Sequence, residues 1–579
     1  MKKLVLIVLL LFVTIAAKSA TKPISPKADL VFRNGKIYTM DASRSWAEAV
    51  AIKDGKFIYV GDDDGVANLS GVKTEVIDLD GRMVLPSFID AHVHPVEAGI
   101  GLNRCSLEQA KTKDEAFAII KKYAEDHPDL PWIVGQGWQL PIFPGANPKK
   151  EWLDAIVPDR PAYLTAADGH SAWANSKALQ LAGITKQTPD PESGRIERNS
   201  AGEPSGTLRE SATELVYKLV PPPSREEEIT GLHSALRIMN GFGITGFQDA
   251  SVSAEGLDPA ARGSANVYRE SEKQGMLTAR VTGALYASPE GTVQQVLNQI
   301  QTLKQMRQAY VGKYFHPTAV KIFEDGVIEA NTAALIQPYL DKGDSGELNW
   351  GPEKLNPFID ALYQEKFQIH IHAIGDRAIR VALTAIEAAE KNQGLRDARS
   401  IIAHLELINP QDIPRFRDLA VIPCFQPIWA YSDPYIRDLT LPKLGEERSR
   451  WIYPINSVRK TGVTMAMGSD WNVSSVNPLD GIEVAVTRKD PDAPESDASV
   501  FIPEERIELD SALAAYTIGS AYANFWEKET GSIETGKSAD LIVLSNNLFD
   551  IPPSQINQTK VMLTLFEGKK IYESDAQNK

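Results

Sequence analysis

The stretch "MVLPSFIDAHVHPVEAG", residues 83–99, joins an apolar run directly to two histidines, His92 and His94, in a chain that has nine histidines among 579 residues. The apolar run is typical of one buried strand, and Pro95 and Gly99 after it are typical of a loop. Consecutive side chains on a strand point to opposite faces, so residues two positions apart share a face. We therefore expect both imidazoles to point the same way from the end of a buried strand.

Seven further apolar segments resemble strands and alternate with helical stretches such as residues 225–243 and 376–394. These segments are "ITGFQDAS", "LTARVTGALYA", "PTAVKIFEDG", "FQIHIHAIGD", "SIIAHLELI", "AVIPCFQPI" and "VTMAMGSDWN". Eight strand and helix units favour the α/β class and a closed parallel TIM (β/α)8 barrel, with an open doubly wound sheet as the alternative.

The two ends of the chain have a different pattern from the middle. Residues 28–82 and 531–575 contain short alternating segments separated by turns such as Asn-Gly and Asp-Gly, which indicate antiparallel strands. Each part is too small for its own core, so we predict one composite β-sandwich domain built from both termini, beside a barrel spanning residues 83–530. Roughly 120 residues separate the first two barrel strands, far more than a normal connection. We assign residues from about 106 to 222 to an insertion that caps the barrel mouth.

The first residues, "MKKLVLIVLLLFVTIAAKSA", have the pattern of a secretory signal peptide covering residues 1–20. Two lysines precede an apolar or small stretch that is shorter than the roughly 20 residues needed to span a bilayer. An uncleaved membrane anchor is the alternative. We expect an exported protein, periplasmic or secreted, with no stable membrane insertion after cleavage.

The charge and the cysteine content exclude some classes of protein. The formal net charge is −15, and cleavage after Ala20 would remove three lysines and leave −18. Such a surface repels nucleic acid and anionic lipid. Two cysteines, Cys105 and Cys424, do not make a disulfide framework, and we expect two separate thiols with Cys424 buried.

Polar residues occur at the carboxyl ends of several predicted barrel strands, where active sites of such barrels lie. They come from strands one, four, five, six and eight, and they are His92, His94, Lys321, His372, His404 and Asp470. Any one of them alone is explained by packing or capping, but the set at corresponding positions is not. His370 has the same parity as His372 but lies deeper, so we expect it to support a ligand from behind or to pack in the core.

This set of residues resembles the amidohydrolase superfamily, and the local wording resembles its YtcJ-like or amidohydrolase-3 group, the N-substituted formamide deformylase-like proteins. The resemblance covers nearly the whole mature chain. It lies in "LPSFIDAHVHP", "TAADGHSAWANSKAL", "VKIFEDG", "HAIGDRAI", "AHLELINPQDIPRF", "MGSDWNVSSVNPLD" and "GSIETGKSADLIVL". The family also combines a barrel with a composite β domain.

Neutral imidazoles and carboxylate oxygens suit zinc or a similar divalent ion, and four histidines are too many for one catalytic zinc with an open position. Two metal ions fit that number. In the resembled family the bridging lysine is carboxylated to a carbamate, which implies Lys321 across both ions. His92, His94 and Asp470 would hold one ion, and His372 and His404 the other. Glu324, directly after the lysine strand, is a second possible ligand, although strand alternation places it on the opposite face from Lys321.

The ligand set predicts hydrolysis by a metal-bridging hydroxide. The resemblance implies that the bond cleaved is a C–N bond of a small-molecule amide, formamide or cyclic amide. Asp470 would act as general base and then general acid. His170 and Trp173 in the insertion would contact the substrate, with His170 stabilising the oxyanion and Trp173 forming a pocket wall, as the resemblance also suggests. For His170, a capped helix start near Ser171 is the alternative explanation.

Further assignments stay open at this stage. Asp325 and Asp376 are expected to orient the histidines. A mononuclear deaminase or a lactone, ester or phosphotriester hydrolase on the same barrel is an alternative function. A periplasmic binding protein without catalysis is a remote one, and a homodimer is possible.

Overall fold

Eight parallel strands form the central sheet of this computed structural model, which describes residues 27–254, 263–493 and 499–574. We number these barrel strands β1 to β8; each pairs with the next along the chain. They are Phe88–Val93, Ile244–Val252, Arg280–Tyr286, Phe315–Phe323, Gln368–Ala373, Ile401–His404, Ile422–Phe425 and Ala466–Met467. The TIM barrel prediction is confirmed, and the open doubly wound sheet is excluded.

Helices cover the outside of the barrel, and this explains why its strands are nearly continuous apolar runs rather than alternating ones. In β5 all six residues are buried. The longest flanking helices are Arg225–Gly241, Ser264–Lys273, Val293–Tyr310, Pro352–Gln364, Asp376–Gln393 and Pro478–Thr487. The first begins with a capping box between Ser224 and Glu227, which satisfies two backbone donors that a helix start otherwise leaves open.

The barrel closes between its shortest strand, β8, and β1 through hydrogen bonds just beyond the strand ends. The backbone N–H of Asp470 donates to the carbonyl of His92 at 2.7 Å, and the N–H of His94 donates to the carbonyl of Trp471 at 2.8 Å. Below them the buried Asp90 carboxylate accepts from the N–H of Ser469 at 3.1 Å. Closure therefore occurs at the end of the barrel that carries the candidate ligands.

Two further sheets lie outside the barrel, one built from N-terminal strands and one from strands of both chain ends. One consists of the strands Leu30–Arg33, Ala49–Lys53, Lys56–Gly61 and Glu75–Asp78, and the other of Lys36–Tyr38, Trp46–Ala47, Met83–Pro86, Leu541–Leu544, Val561–Phe566 and Lys569–Glu573. The single strand expected over residues 84–91 is wrong. Met83–Pro86 pairs with Leu541–Leu544 in this composite domain, and the barrel begins only at Phe88.

The long connection between β1 and β2 contains a sheet of its own rather than helices alone. Its six strands are Cys105–Ser106, Ile133–Trp138, Ala162–Ala166, Ser171–Ala174, Gly194–Arg198 and Pro204–Glu210, accompanied by helices including Lys113–Asp126, Lys150–Ile156 and Ser176–Leu181. It places His170 against His372 of the barrel, a predicted ligand, with ring centroids 4.8 Å apart.

Both cysteines are buried and free, as expected. No helix within the described ranges is long and apolar enough to cross a membrane. The signal peptide predicted for residues 1–20 falls outside those ranges.

Candidate active site

Three residues from the two strands that close the barrel converge on one point. The Asp470 Oδ1 atom lies 3.1 Å from His94 Nε2 and 3.3 Å from His92 Nε2. Within the described ranges, His92, His94 and Asp470 are the one group that brings three or more histidine, cysteine or acidic ligand atoms within 4.8 Å of one another. The backbone pairing that closes β8 against β1 produces this proximity, because it holds Asp470 directly beside the histidine pair.

Lys321 extends from β4 into the same cluster and is completely buried. Its Nζ atom lies 3.2 Å from His92 Nε2. Burial lowers the pKa of the Lys321 amine from 10.5 to about 7. A buried amine that loses its proton near neutral pH is a nucleophile as well as a potential ligand.

His372 and His404 occupy the neighbouring strand ends, with ring centroids 4.5 Å apart. His372 Nε2 lies 3.3 Å from the Gly326 carbonyl oxygen. A carbonyl only accepts, so Nε2 carries the proton and Nδ1 keeps its lone pair. His404 Nδ1 lies 2.9 Å from Gln426 Oε1, which by the same argument leaves Nε2 free. Both histidines are therefore held with one ring nitrogen available to a metal.

His370 contacts the back of the histidine pair. Its Nε2 atom lies 2.8 Å from His92 Nδ1, so a His92 ring that coordinates through Nε2 would donate its Nδ1 proton to His370. Burial lowers the pKa of His92, His370, His372 and His404 well below the usual value, which keeps these rings neutral. His370 thus lies behind His92, deeper in the barrel, as its place in the sequence indicated.

Asp90 is a residue of the site that the sequence analysis missed. Its carboxylate accepts hydrogen bonds from the N–H groups of His92 at 3.0 Å and Ser469 at 3.1 Å. Asp470 lies just beyond, at a positive φ of 55°, which is costly for a residue with a side chain. Anchoring Ser469 through Asp90 helps to hold Asp470 in that conformation. The sequence signal that could have identified Asp90 was a carboxyl within an apolar segment, two residues before His92.

His170 reaches the cavity from the insertion, where its Nδ1 atom is 2.8 Å from Glu210 Oε2. Burial alone lowers the pKa of His170, but the charge and hydrogen bond of Glu210, with help from Asp168, raise it to about 9. The ring is thus a cation at neutral pH in the metal-free protein. Glu210 was not predicted, because nothing local connects two residues that lie 40 positions apart in the sequence.

Trp173 does not form a pocket wall, contrary to the prediction. Its side chain is completely buried and packs against Phe143, with ring centroids 5.4 Å apart. Its indole N–H donates to the Lys149 carbonyl at 3.0 Å. His170 therefore lies on the side of the barrel, whereas Trp173, three residues later, is buried in the core of the insertion. Trp173 is not among the residues that line the cavity.

Three acidic residues that follow strands β4 and β5 have different environments. Asp325 accepts from the N–H groups of Ala334, Ile374 and Gly375 at 2.8, 3.0 and 2.9 Å, and its Oδ1 lies 3.7 Å from His372 Nε2, beyond a normal hydrogen bond. Asp376 accepts from the Ile336 N–H at 2.8 Å and so braces a loop. Glu324 is completely buried, lies outside the cavity lining, and has no hydrogen-bond partner for either oxygen within the described ranges. Lys321, not Glu324, therefore faces the site.

A cavity of about 710 Å³ lies above the cluster, and the residues that line it include His92, His94, Lys321, His372, His404, Asp470 and His170. This size suits a small molecule. The donor set fits divalent metal ions, because burial keeps His92, His372 and His404 neutral and the buried Asp470 Oδ1 atom has no aligned hydrogen-bond donor within the described ranges.

Comparison with known proteins agrees with this geometry. The Amidohydrolase family model matches residues 75–572. Bacillus subtilis YtcJ is 30% identical, covering 94% of this chain and 99% of that protein, and the N-substituted formamide deformylase of Arthrobacter pascens is 28% identical, covering 94% and 98%. An uncharacterised metal-dependent hydrolase structure from Pyrococcus furiosus has a TM-score of 0.67 and 27% identity over 90% of this chain and 99% of its own.

The family model covers most of the chain, and the resemblance to the YtcJ-like group is confirmed. The chain belongs to the amidohydrolase family.

Proposed function

We propose that this amidohydrolase cleaves a C–N bond in a small-molecule amide, formamide or cyclic amide, with two divalent metal ions, Zn²⁺ in particular. The observation that carries the proposal is the convergence of His92, His94 and Asp470 around the buried amine of Lys321 at the carboxyl end of the barrel. The formamide deformylase that resembles this chain over its whole length supports a C–N bond as the target.

In this proposal, His92, His94 and Asp470 hold one ion, and His372 and His404 hold the other through the nitrogens left free by their hydrogen bonds. A carboxylated Lys321 would share its two carbamate oxygens between the ions. The lowered pKa of the Lys321 amine supports this modification, because only the neutral amine reacts with carbon dioxide.

Bound ions would lower the pKa of a water nucleophile and polarise the substrate carbonyl. Asp470 would accept the proton of the attacking water and return it to the leaving nitrogen. His170, kept protonated by Glu210, would stabilise the negative charge that develops on the carbonyl oxygen.

The test combines metal analysis of purified protein with a screen of N-formyl, N-acyl and cyclic amides. We expect two ions per chain and metal-dependent turnover, and alanine at His92, His94, His372 or His404 should lower both. One tightly bound ion with full activity after loss of Lys321 would instead indicate a mononuclear deaminase. Turnover of lactones or phosphotriesters without any amide would refute the C–N assignment.

We also propose that the protein is exported, on the basis of the N-terminal pattern of residues 1–20. N-terminal sequencing of the protein from the periplasm or medium should begin near Ala20 or Thr21. Retention of Met1 in a membrane fraction would contradict this.

A further inference from the structure

A second chamber of about 330 Å³ lies beside the candidate metal centre and shares with it His170, His372, His404 and Asp470. We call it the side chamber. It extends away from the main cavity between the ends of β6 and β7 and the segments that follow them, including Trp429 and Tyr435. A substrate bound at the metal centre could therefore place one end in the side chamber.

The side chamber is lined by many carboxyl groups, and His170, whose ring is already paired with Glu210, is the one protonated base among the described residues that line it. Its lining includes Asp168, Glu329, Glu406, Asp433, Asp480 and Asp492, whereas neither lysine nor arginine occurs among the described residues that line it. An acidic, partly enclosed space of this kind attracts cations and excludes anions.

Glu406 is a buried carboxyl of this lining, and burial, together with the neighbouring Glu329, raises its pKa well above the usual value. It is 2% exposed, and its Oε1 atom accepts from the Thr440 hydroxyl at 3.3 Å. The same hydroxyl lies 2.9 Å from Glu329 Oε1, and one hydroxyl has one proton to donate. Glu406 and Glu329 therefore share one donor, and a cation in the side chamber would favour their ionised forms.

Four aromatic residues, Trp429, Tyr431, Tyr435 and Tyr453, also line the side chamber, beside aliphatic residues such as Ile374 and Ile436. Trp429 is stacked on the His404 ring at 18°, with centroids 5.6 Å apart, so its orientation is fixed next to the metal centre. Aromatic faces attract organic cations, and an aromatic box with carboxylates is a recurring way to bind ammonium groups.

The spacing of the carboxylates distinguishes a site for an organic cation from a site for a metal ion. Within the described ranges, no three acidic residues of the side chamber bring ligand atoms within 4.8 Å of one another, whereas His92, His94 and Asp470 do so next door. Hard cations such as Ca²⁺ need six to eight close oxygens. The walls suit a larger, diffuse positive charge.

We propose that the side chamber binds a cationic organic group of the substrate, an ammonium or guanidinium, while the scissile C–N bond lies at the metal centre. This rests on the proposed function and specifies its substrate class as amides that carry a positive charge. Glu406 and Asp433 supply the charge, and Trp429 with the neighbouring tyrosines encloses the cation. Burial raises the pKa of Asp433 to about 7, and a cation beside it would stabilise the ionised form.

Binding is tested first, without reference to catalysis. Calorimetry compares choline with 3,3-dimethylbutan-1-ol, which has the same shape with carbon in place of the charged nitrogen. We expect choline to bind at least 10-fold more tightly, and Glu406→Gln and Asp433→Asn each to remove most of that preference. Asp438→Asn is the matched control, because Asp438 lies on the same segment as Tyr435 but pairs with Arg437 at the surface. Thermal melting shows whether each variant is folded.

Catalysis is tested with N-formyl amides that end in a trimethylammonium or a tert-butyl group. The ratio of their kcat/KM values should favour the cation at least 10-fold and fall at least 10-fold in Glu406→Gln. If both amides are hydrolysed equally and choline shows no preference, the side chamber inference is wrong and the proposed function stands. If choline is preferred but no amide is hydrolysed, the cation site stands and the proposed function fails. If neither occurs, both are wrong.

Discussion

Lys321 provides the sharpest test of the proposed metal centre, through two substitutions. Lys321→Met keeps most of the side-chain volume and removes the amine, and Lys321→Ala also opens space beside His92. The Lys321 side chain is completely buried, and its Nζ lies 3.2 Å from His92 Nε2. We therefore expect that water alone does not replace the lost amine in either variant.

The expected magnitude comes from the environment of the amine. With a pKa of about 7, Lys321 is about three-quarters neutral at pH 7.5 in the metal-free protein, whereas an exposed lysine is about 0.1% neutral. Burial thus raises the reactive fraction by roughly 700-fold. Groups that merely support metal ligands change affinity or activity by about 10- to 100-fold when lost. Loss of the shared ligand should therefore reduce kcat by more than about 100-fold.

The assay follows metal content, rate and the carbamate itself. Both variants should lose metal, and Lys321→Ala should recover partly with added bicarbonate or short carboxylates that fit the vacated space. ¹³C NMR of metal-free protein in ¹³C-bicarbonate should show a carbamate signal that disappears as the pH falls through about 7, because protonation removes the nucleophile. The control is Glu324→Gln, which keeps the volume of a buried side chain outside the cavity and should keep most activity. An active Lys321→Met beside an inactive Glu324→Gln would refute the assignment.

Three further predictions concern the groups around the ligands. His370→Phe should weaken metal binding about 10- to 100-fold, measured by competition with a chelator, because His92 loses the partner at its Nδ1 atom; unchanged affinity would limit His370 to packing. In the metal-free protein, NMR titration should show His170 losing its proton as the pH rises through about 9, and Glu210→Gln should move that step to lower pH because the stabilising charge is gone; an unmoved step would contradict the pairing. Trp173→Ala should destabilise the protein by about 3–5 kcal/mol in denaturant titration while the KM of the folded enzyme stays near that of the wild type, and a large rise in KM would restore Trp173 to the substrate pocket.

Sequence alone was sufficient for the barrel and for the residues at its strand ends. Alternation along a strand is a local property, so it assigned Lys321 to the interior and Glu324 to the opposite face without any knowledge of the neighbours. Parallel strands in a barrel end at one mouth, which predicted that His372 and His404 would meet the histidine pair.

Tertiary structure alone decided which groups touch and which way the insertion faces. His370 and His92 are 278 positions apart and stand on strands, β5 and β1, that are not neighbours in the sheet, and only the closed barrel brings His370 Nε2 within 2.8 Å of His92 Nδ1. Trp173 carried an ambiguous signal, because a large aromatic residue suits a pocket wall and a small core equally well. Periodicity specifies the face of an element but not the surface against which that face packs, and that surface is set by contacts between residues distant in the chain.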